Sequence, residues 1–122
     1  MCARLQLKPQ EAAKSMHSTK IAVFSACGYP FDGFAKTESW NYWKDRMVGV
    51  LTIPVGGFTE HDKNGTEHFF EKAGHLAIIV IQDSTGNKHA RIMTEPASDK
   101  VALVHERQPV IYTLPQRYRT CQ

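Results

Sequence analysis

Six apolar side chains stand in unbroken succession at Leu76-Ala77-Ile78-Ile79-Val80-Ile81. Branching at Cβ stiffens four of them and favours the pleated backbone. An amphipathic strand alternates; a strand apolar on every position is covered on both faces. The run Leu76 to Gln82 therefore predicts the central strand of a sheet, and the rest of the chain must supply two covers. It is far shorter than the roughly 20 residues of a membrane-spanning helix, so no membrane association is expected. With 122 residues, the chain has the length of one domain, 1–122.

Punctuation around that strand outlines an α+β domain of mostly antiparallel strands and a few short helices, with a barrel-like closure expected. Lys8 to Lys20 is polar and suits a short helix or a surface loop. Lys20 to Ser25 reads as a strand, broken at Cys27-Gly28-Tyr29-Pro30. Thr37 is placed to cap a helix through Trp40, Trp43 and Met47, and core packing is the first reading of both tryptophans. Met47 to Ile53 is an apolar run ended by Pro54 and Gly56-Gly57. Asn64-Gly65 predicts a type I′ hairpin pairing His61 with His68 and Glu60 with Phe69. On that hairpin Phe58 and Glu60 share a face and His61 takes the other. His89 to Thr94 reads as a strand, Asp99 to Val104 as a short helix capped by Ser98, and Gln108 to Leu114 as a last strand. From Gln116 the tail is basic.

The function classes narrow by elimination. Lys and Arg total 15 against 12 Asp and Glu, a net +3, which permits a polyanionic partner without requiring one. No phosphate loop, dinucleotide fingerprint or nucleophile elbow is present. His61, His68 and His75 recur every seven residues, but without metal-type Cys/His spacing they predict no metal site. Three cysteines at 2, 27 and 121 make no disulfide framework and fit a reducing cytoplasm. The opening Met1-Cys2-Ala3-Arg4 lacks the apolar stretch of a signal peptide.

Cys2 has a chemistry open to no internal cysteine. Removal of Met1 leaves an α-amine and a thiol on adjacent carbons, and that amine is partly neutral near pH 8. It adds to an aldehyde to give an imine, and the thiol closes on the same carbon to give a thiazolidine. The alternative is an incidental cysteine at a frayed end.

Five blocks carry a resemblance to a known family. Met1-Cys2-Ala3-Arg4-Leu5 is similar to a Met-Cys-Gly-Arg-aromatic start. Ala35-Lys36-Thr37-Glu38-Ser39 is similar to an Asn-Ala-Arg-x-Glu-Thr segment without its leading Asn. Leu51 to His61 (Leu-Thr-Ile-Pro-Val-Gly-Gly-Phe-Thr-Glu-His) is similar to Cys-Leu-Ile-Pro-Ala-x-Gly-aromatic-x-Glu-Trp. Ile92 to Ala97 resembles the strand before the family's last helix. Val104 to Ile111 (Val-His-Glu-Arg-Gln-Pro-Val-Ile) is similar to Ile-His-x-Arg-x-Pro-Val-Ile. In this order the blocks resemble the SRAP family, the SOS-response-associated peptidases or abasic-site processing proteins, most closely over 47–114.

The resemblance implies an enzyme of the lyase or peptidase type that joins abasic sites in single-stranded DNA to its N-terminal cysteine. Cys2 is then the nucleophile, Glu60 the acid–base group that opens the sugar ring, and His105 an auxiliary that holds sugar hydroxyls or moves a proton. Arg4 and Lys36 would hold phosphates, and Phe34, Tyr29 or Trp40 would stack on a base. Arg107 would pair with a carboxylate. The expected protein is a monomer without metal or organic cofactor, cytoplasmic, and nucleoid-associated if bacterial or from a phage. Lyase and self-processing activity belong to the same expectation.

Several positions depart from the family pattern. Phe34 stands at an asparagine implicated in sensing the abasic sugar, Lys36 at an arginine, Ala3 at a glycine and His61 at a tryptophan. The segment before Ala35 is compressed. These departures keep two alternatives open, a degenerate non-covalent single-stranded DNA-binding module and a small protein-interaction domain. For Glu60 the competing reading is an ordinary strand carboxylate, and for His105 a histidine satisfied by backbone near a helix end.

Overall fold

A computed structural model describes residues 16–113. Its elements are α1 (Met16–Cys27), β1 (Phe31–Lys36), a 3-10 turn (Thr37–Ser39), α2 (Trp40–Trp43), β2 (Met47–His61), β3 (Glu67–Gln82), β4 (Lys88–Pro96), α3 (Asp99–Ala102), β5 (Arg107–Pro109) and β6 (Ile111–Tyr112). The strands form one sheet in the order β1-β4-β3-β2, with β5 on β4 and β6 on β3. Every pairing is antiparallel except β1 with β4. No ladder joins β1 to β2, so among the described residues the sheet is open, in place of the expected barrel-like closure.

β3 holds the centre, and its apolar run is explained by two cores. Leu76 and Ile78 face one cluster with Ile53, Val55, Phe31, Ile92, Ile111 and the helix residue Val23. Ala77, Ile79 and Ile81 face the other with Ala35, Met93 and Val110, flanked by Trp43 and Met47. Ile78 has no exposed surface.

The segment expected as a strand at 20–25 is helix α1. Val23 is buried, and Ala26 and Cys27 pack beside it at helical spacing. The sheet face needs a cover, and that tertiary demand outweighs the preference of a short β-branched run. Gly28, at φ +82°, ends the helix, its N–H bonding the Phe24 carbonyl at 2.8 Å, a left-handed cap that glycine adopts most easily.

The helix expected through Met47 stops at Trp43, and Met47 opens β2. Trp43 packs against a core, whereas Trp40 is exposed. β2 runs unbroken through Pro54, which its place at the edge of the sheet tolerates because one side needs no N–H. The last expected strand divides in two. β5 lies along β4 and β6 along β3, and Val110 between them donates to the Met93 carbonyl and accepts from the Ala77 N–H. This stretch fills the fork where β3 and β4 part. Leu114 and the basic tail lie outside the described residues.

The hairpin sits where expected but in another register. Glu60 pairs with His68 and His61 with Glu67. Only Gly65 has positive φ at the turn, at +80°, whereas a type I′ turn requires it at two residues. Asp62 sets the difference: its carboxylate accepts the N–H groups of Asn64 and Thr66, and its own N–H bonds the Thr66 carbonyl. The loop is one residue longer, and every pairing shifts by one.

Candidate functional site

Two kinks in the sheet turn side chains into one cleft. In β1 the register slips between Phe31 and Phe34. Gly33 lies at φ +107° there, a value that suits glycine. Phe31 and Phe34 consequently share a face three residues apart, with ring centroids 5.4 Å apart, and Lys36 follows Phe34 on that face. Arg91 braces the kink: it donates to the Phe34 carbonyl and to an Asp32 carboxylate oxygen, each at 3.2 Å, and lies over the Trp43 ring. In β2 the register slips between Val55 and Gly57. Ile53, Val55 and then Phe58 meet the same core cluster, and Glu60, two residues on, is directed to the cleft. Such bulges commonly re-aim side chains beside sites.

The cleft has a volume of about 550 Å³ and is lined by Phe34, Lys36, Phe58, Glu60, His105 and Arg107 among others. Leu76, Ile92 and Ile111 make an apolar floor, and Thr19 of α1 stands at its edge. His105 comes from the turn between α3 and β5, its N–H held by the Val101 carbonyl at 2.9 Å.

Glu60 and His105 form the chemical centre. His105 Nδ1 lies 2.9 Å from a Glu60 carboxylate oxygen and 3.1 Å from both the Arg107 carbonyl oxygen and the Arg107 amide nitrogen. One ring nitrogen cannot serve all three groups together. Protonated, it donates to the carboxylate. Unprotonated, it accepts the Arg107 N–H, and the Glu60 contact then needs its proton on the carboxyl. A single proton held between the two groups suits either arrangement. Burial pushes the Glu60 carboxyl above its usual range, opposed by the charges of His105 and His61. A carboxyl so poised is suited to giving and taking protons nearer neutral pH than an exposed one.

Of the other expected residues, Phe34 and Lys36 line the same cleft. Tyr29 packs against a core and Trp40 is exposed, and neither belongs to its lining. Cys2 and Arg4 lie outside the described residues. His61 faces Glu67 at 3.4 Å and His68 faces Asp62 at 2.9 Å. Among the described residues no three His, Cys, Asp or Glu groups gather as metal ligands, and no helix is long and apolar enough to cross a membrane. Gly57, just before Phe58, has no open space beside it. A Cβ on Gly57 would collide with the Phe70 carbonyl oxygen and meet the Phe69 ring at 2.7 Å, so the space is filled by the hairpin itself.

The chain matches no family model, no curated protein and no solved structure in comparisons with each. The geometry thus stands on its own residues.

Arg107 does more than the single ion pair expected of it. Its guanidinium makes paired contacts with both Glu38 carboxylate oxygens and also donates to the Thr94 carbonyl and hydroxyl, at 2.9 and 3.1 Å. It ties the 3-10 turn to β4 at the cleft wall. Periodicity carries no signal for this. Thr19 was hidden because its segment, Lys8 to Lys20, reads only as a polar short helix or surface loop.

The Arg107 guanidinium holds the Glu38 carboxyl down from the ordinary 4.5 to about 2, with the Glu38 backbone N–H and the Thr37 hydroxyl assisting. A carboxyl with a lowered folded-state pKa stabilises the fold above its unfolded value and loses that contribution as pH falls. Glu38→Gln is therefore expected to lower the urea midpoint at pH 6. The gap from the parent should close as pH falls from about 4.5 toward 2; a gap constant over that range would deny the pair its role.

Proposed function

We propose that this chain captures abasic sites in single-stranded DNA through a covalent bond to Cys2, as a divergent member of the SRAP family that its motifs resemble. The observation that carries the reading is the 2.9 Å contact of Glu60 with His105 inside a cleft also lined by Phe34 and Lys36. Lys36, Glu60 and His105 come from three separate motif blocks, and a shared cleft is what a common chemistry requires of them.

The steps follow from the groups. The abasic sugar is mostly a closed ring, and Glu60 moves the protons that open it to the aldehyde. The Cys2 α-amine, freed by loss of Met1, adds to that carbon, and water leaves as the imine forms. The thiol adds across the C=N bond, placing its sulfur on carbon and its proton on nitrogen, which closes the thiazolidine. His105 relays the proton with Glu60. Cys2 stands fourteen positions before Met16, and an extended chain of that length reaches at most about 50 Å. Since α1 already borders the cleft at Thr19, the amine has the reach. Lys36 and Arg4 hold phosphates, as point charge and fork respectively, and Phe34 offers a face to a neighbouring base. No step needs a metal or organic cofactor. Lyase activity follows where the imine lasts long enough for β-elimination, and self-processing follows from the need to remove Met1. We read the protein as a cytoplasmic monomer.

Phe34 favours a second reading. An aromatic ring in place of the family's asparagine removes a polar contact to the sugar, which suits a module that holds single strands without the covalent step. One experiment separates the readings. The protein is incubated with single-stranded DNA carrying one abasic site, then run on denaturing and native gels, with intact mass reporting Met1. A denaturation-resistant band absent in Cys2→Ala is the expected result. A native shift alone supports the non-covalent module, and neither band points to a protein-interaction domain.

A further inference from the structure

We propose that Lys36 is a second amine nucleophile in the cleft, giving a lyase route independent of Cys2. The inference rests on the reading of the cleft as an abasic-site pocket. Lys36 belongs to β1 beyond the Gly33 kink, follows Phe34 on the cleft-facing side and pairs in register with Thr94. It is exposed, and among the described residues no carboxylate lies within ion-pair distance of it. The guanidinium that lines the same cleft, Arg107, is committed to Glu38 and Thr94. Among the described residues, Lys36 is thus a primary amine with no carboxylate partner in the cleft that also holds the Glu60–His105 pair.

A guanidinium at this position binds phosphate and nothing more; a lysine amine also adds to carbonyls. Uncharged Nζ adds to C1′ of the open sugar, one of its protons passing to the carbonyl oxygen; the Glu60–His105 pair then gives a proton to that hydroxyl, which leaves as water, and the nitrogen lone pair forms the C=N bond of an iminium. The Glu60–His105 pair takes a C2′ proton. The freed electron pair forms the C1′–C2′ double bond of the enamine. The nitrogen lone pair then re-forms the C=N bond, the C1′–C2′ π electrons move to make a C2′–C3′ double bond, and the C3′–O bond breaks, the 3′ phosphate leaving with that bonding pair. Water hydrolyses the remaining imine, returning Lys36 and an unsaturated aldehyde on the 5′ fragment. No oxidant or reductant enters.

The test uses full-length Cys2→Ala with single-stranded DNA bearing one abasic site, with and without sodium borohydride, which adds hydride to the imine carbon and fixes it as a secondary amine. The expected result is strand cleavage without borohydride and a trapped adduct with it, located at Lys36 by peptide mass spectrometry. Lys36→Arg in the Cys2→Ala background should reduce the trapped band at least tenfold per strand bound, with binding read by anisotropy. An adduct on any other residue, or no adduct, overturns the proposal. The parent protein run without borohydride keeps the two readings apart. A stable parent adduct with no Lys36 trapping removes the second amine and leaves the Cys2 chemistry standing. Lys36 trapping without a stable parent adduct does the reverse.

Discussion

Glu60→Gln is expected to slow covalent capture by about 10²- to 10⁴-fold, the usual worth of a positioned general acid–base group. Glutamine keeps the size and a hydrogen-bonding contact to His105, but it cannot exchange a proton. The loss should appear in the single-turnover rate of the denaturation-resistant band, with strand affinity by anisotropy changed by no more than a few-fold. The pH profile gives a second readout. Burial raises the Glu60 pKa, so the parent's acid limb should lie above the range of a free carboxylate, and that limb should vanish in the variant. An unchanged rate and profile would take Glu60 out of the reaction.

The second large effect is on the fold. Ile78 lies at the centre of β3, paired with Leu51 on one side and Ile92 on the other, with no surface in contact with solvent. Ile78→Ala is expected to cost about 2–5 kcal/mol, from lost burial and the cavity left behind. At this chain length that corresponds to a Tm lower by roughly 10 °C or more, measured by thermal unfolding. Because Ile78 belongs to the core beneath the cleft, the variant should also lose strand binding as it unfolds. A shift of only a degree or two would mean that this core repacks freely.

The parts of the fold that were legible were those where local pattern and tertiary demand agree. The run Leu76 to Ile81 announced a doubly covered strand, and two cores lie on its faces. Lys20 to Ser25 misled because its β-branched and aromatic residues look alike in strand and helix over so short a window. Only Val23, Ala26 and Cys27 against the sheet reveal the helical spacing. The turn at Asn64-Gly65 was visible, but its register was not, because the Asp62 carboxylate holds backbone N–H groups across the loop. Closure of the sheet was never encoded locally, since it depends on two edges that share no residue pattern. The candidate site became readable through motif blocks rather than periodicity. The meeting of Glu60 with His105 spans 45 positions, and no spacing rule reaches that far. The brace of Arg91 on Phe34 likewise joins strands distant in the chain.

The far half of the β2–β3 hairpin has one neighbour only. β4 and β6 take up β3 from His75 to Gln82, while Glu67 to Gly74 pair with β2 alone. A ribbon of two strands yields to load more readily than a sheet interior, and the register slip at Val55–Gly57 marks its root. Glu60 is carried on this two-stranded arm, whereas His105 stands in the turn before β5, so their 2.9 Å contact pins the arm to the body of the sheet.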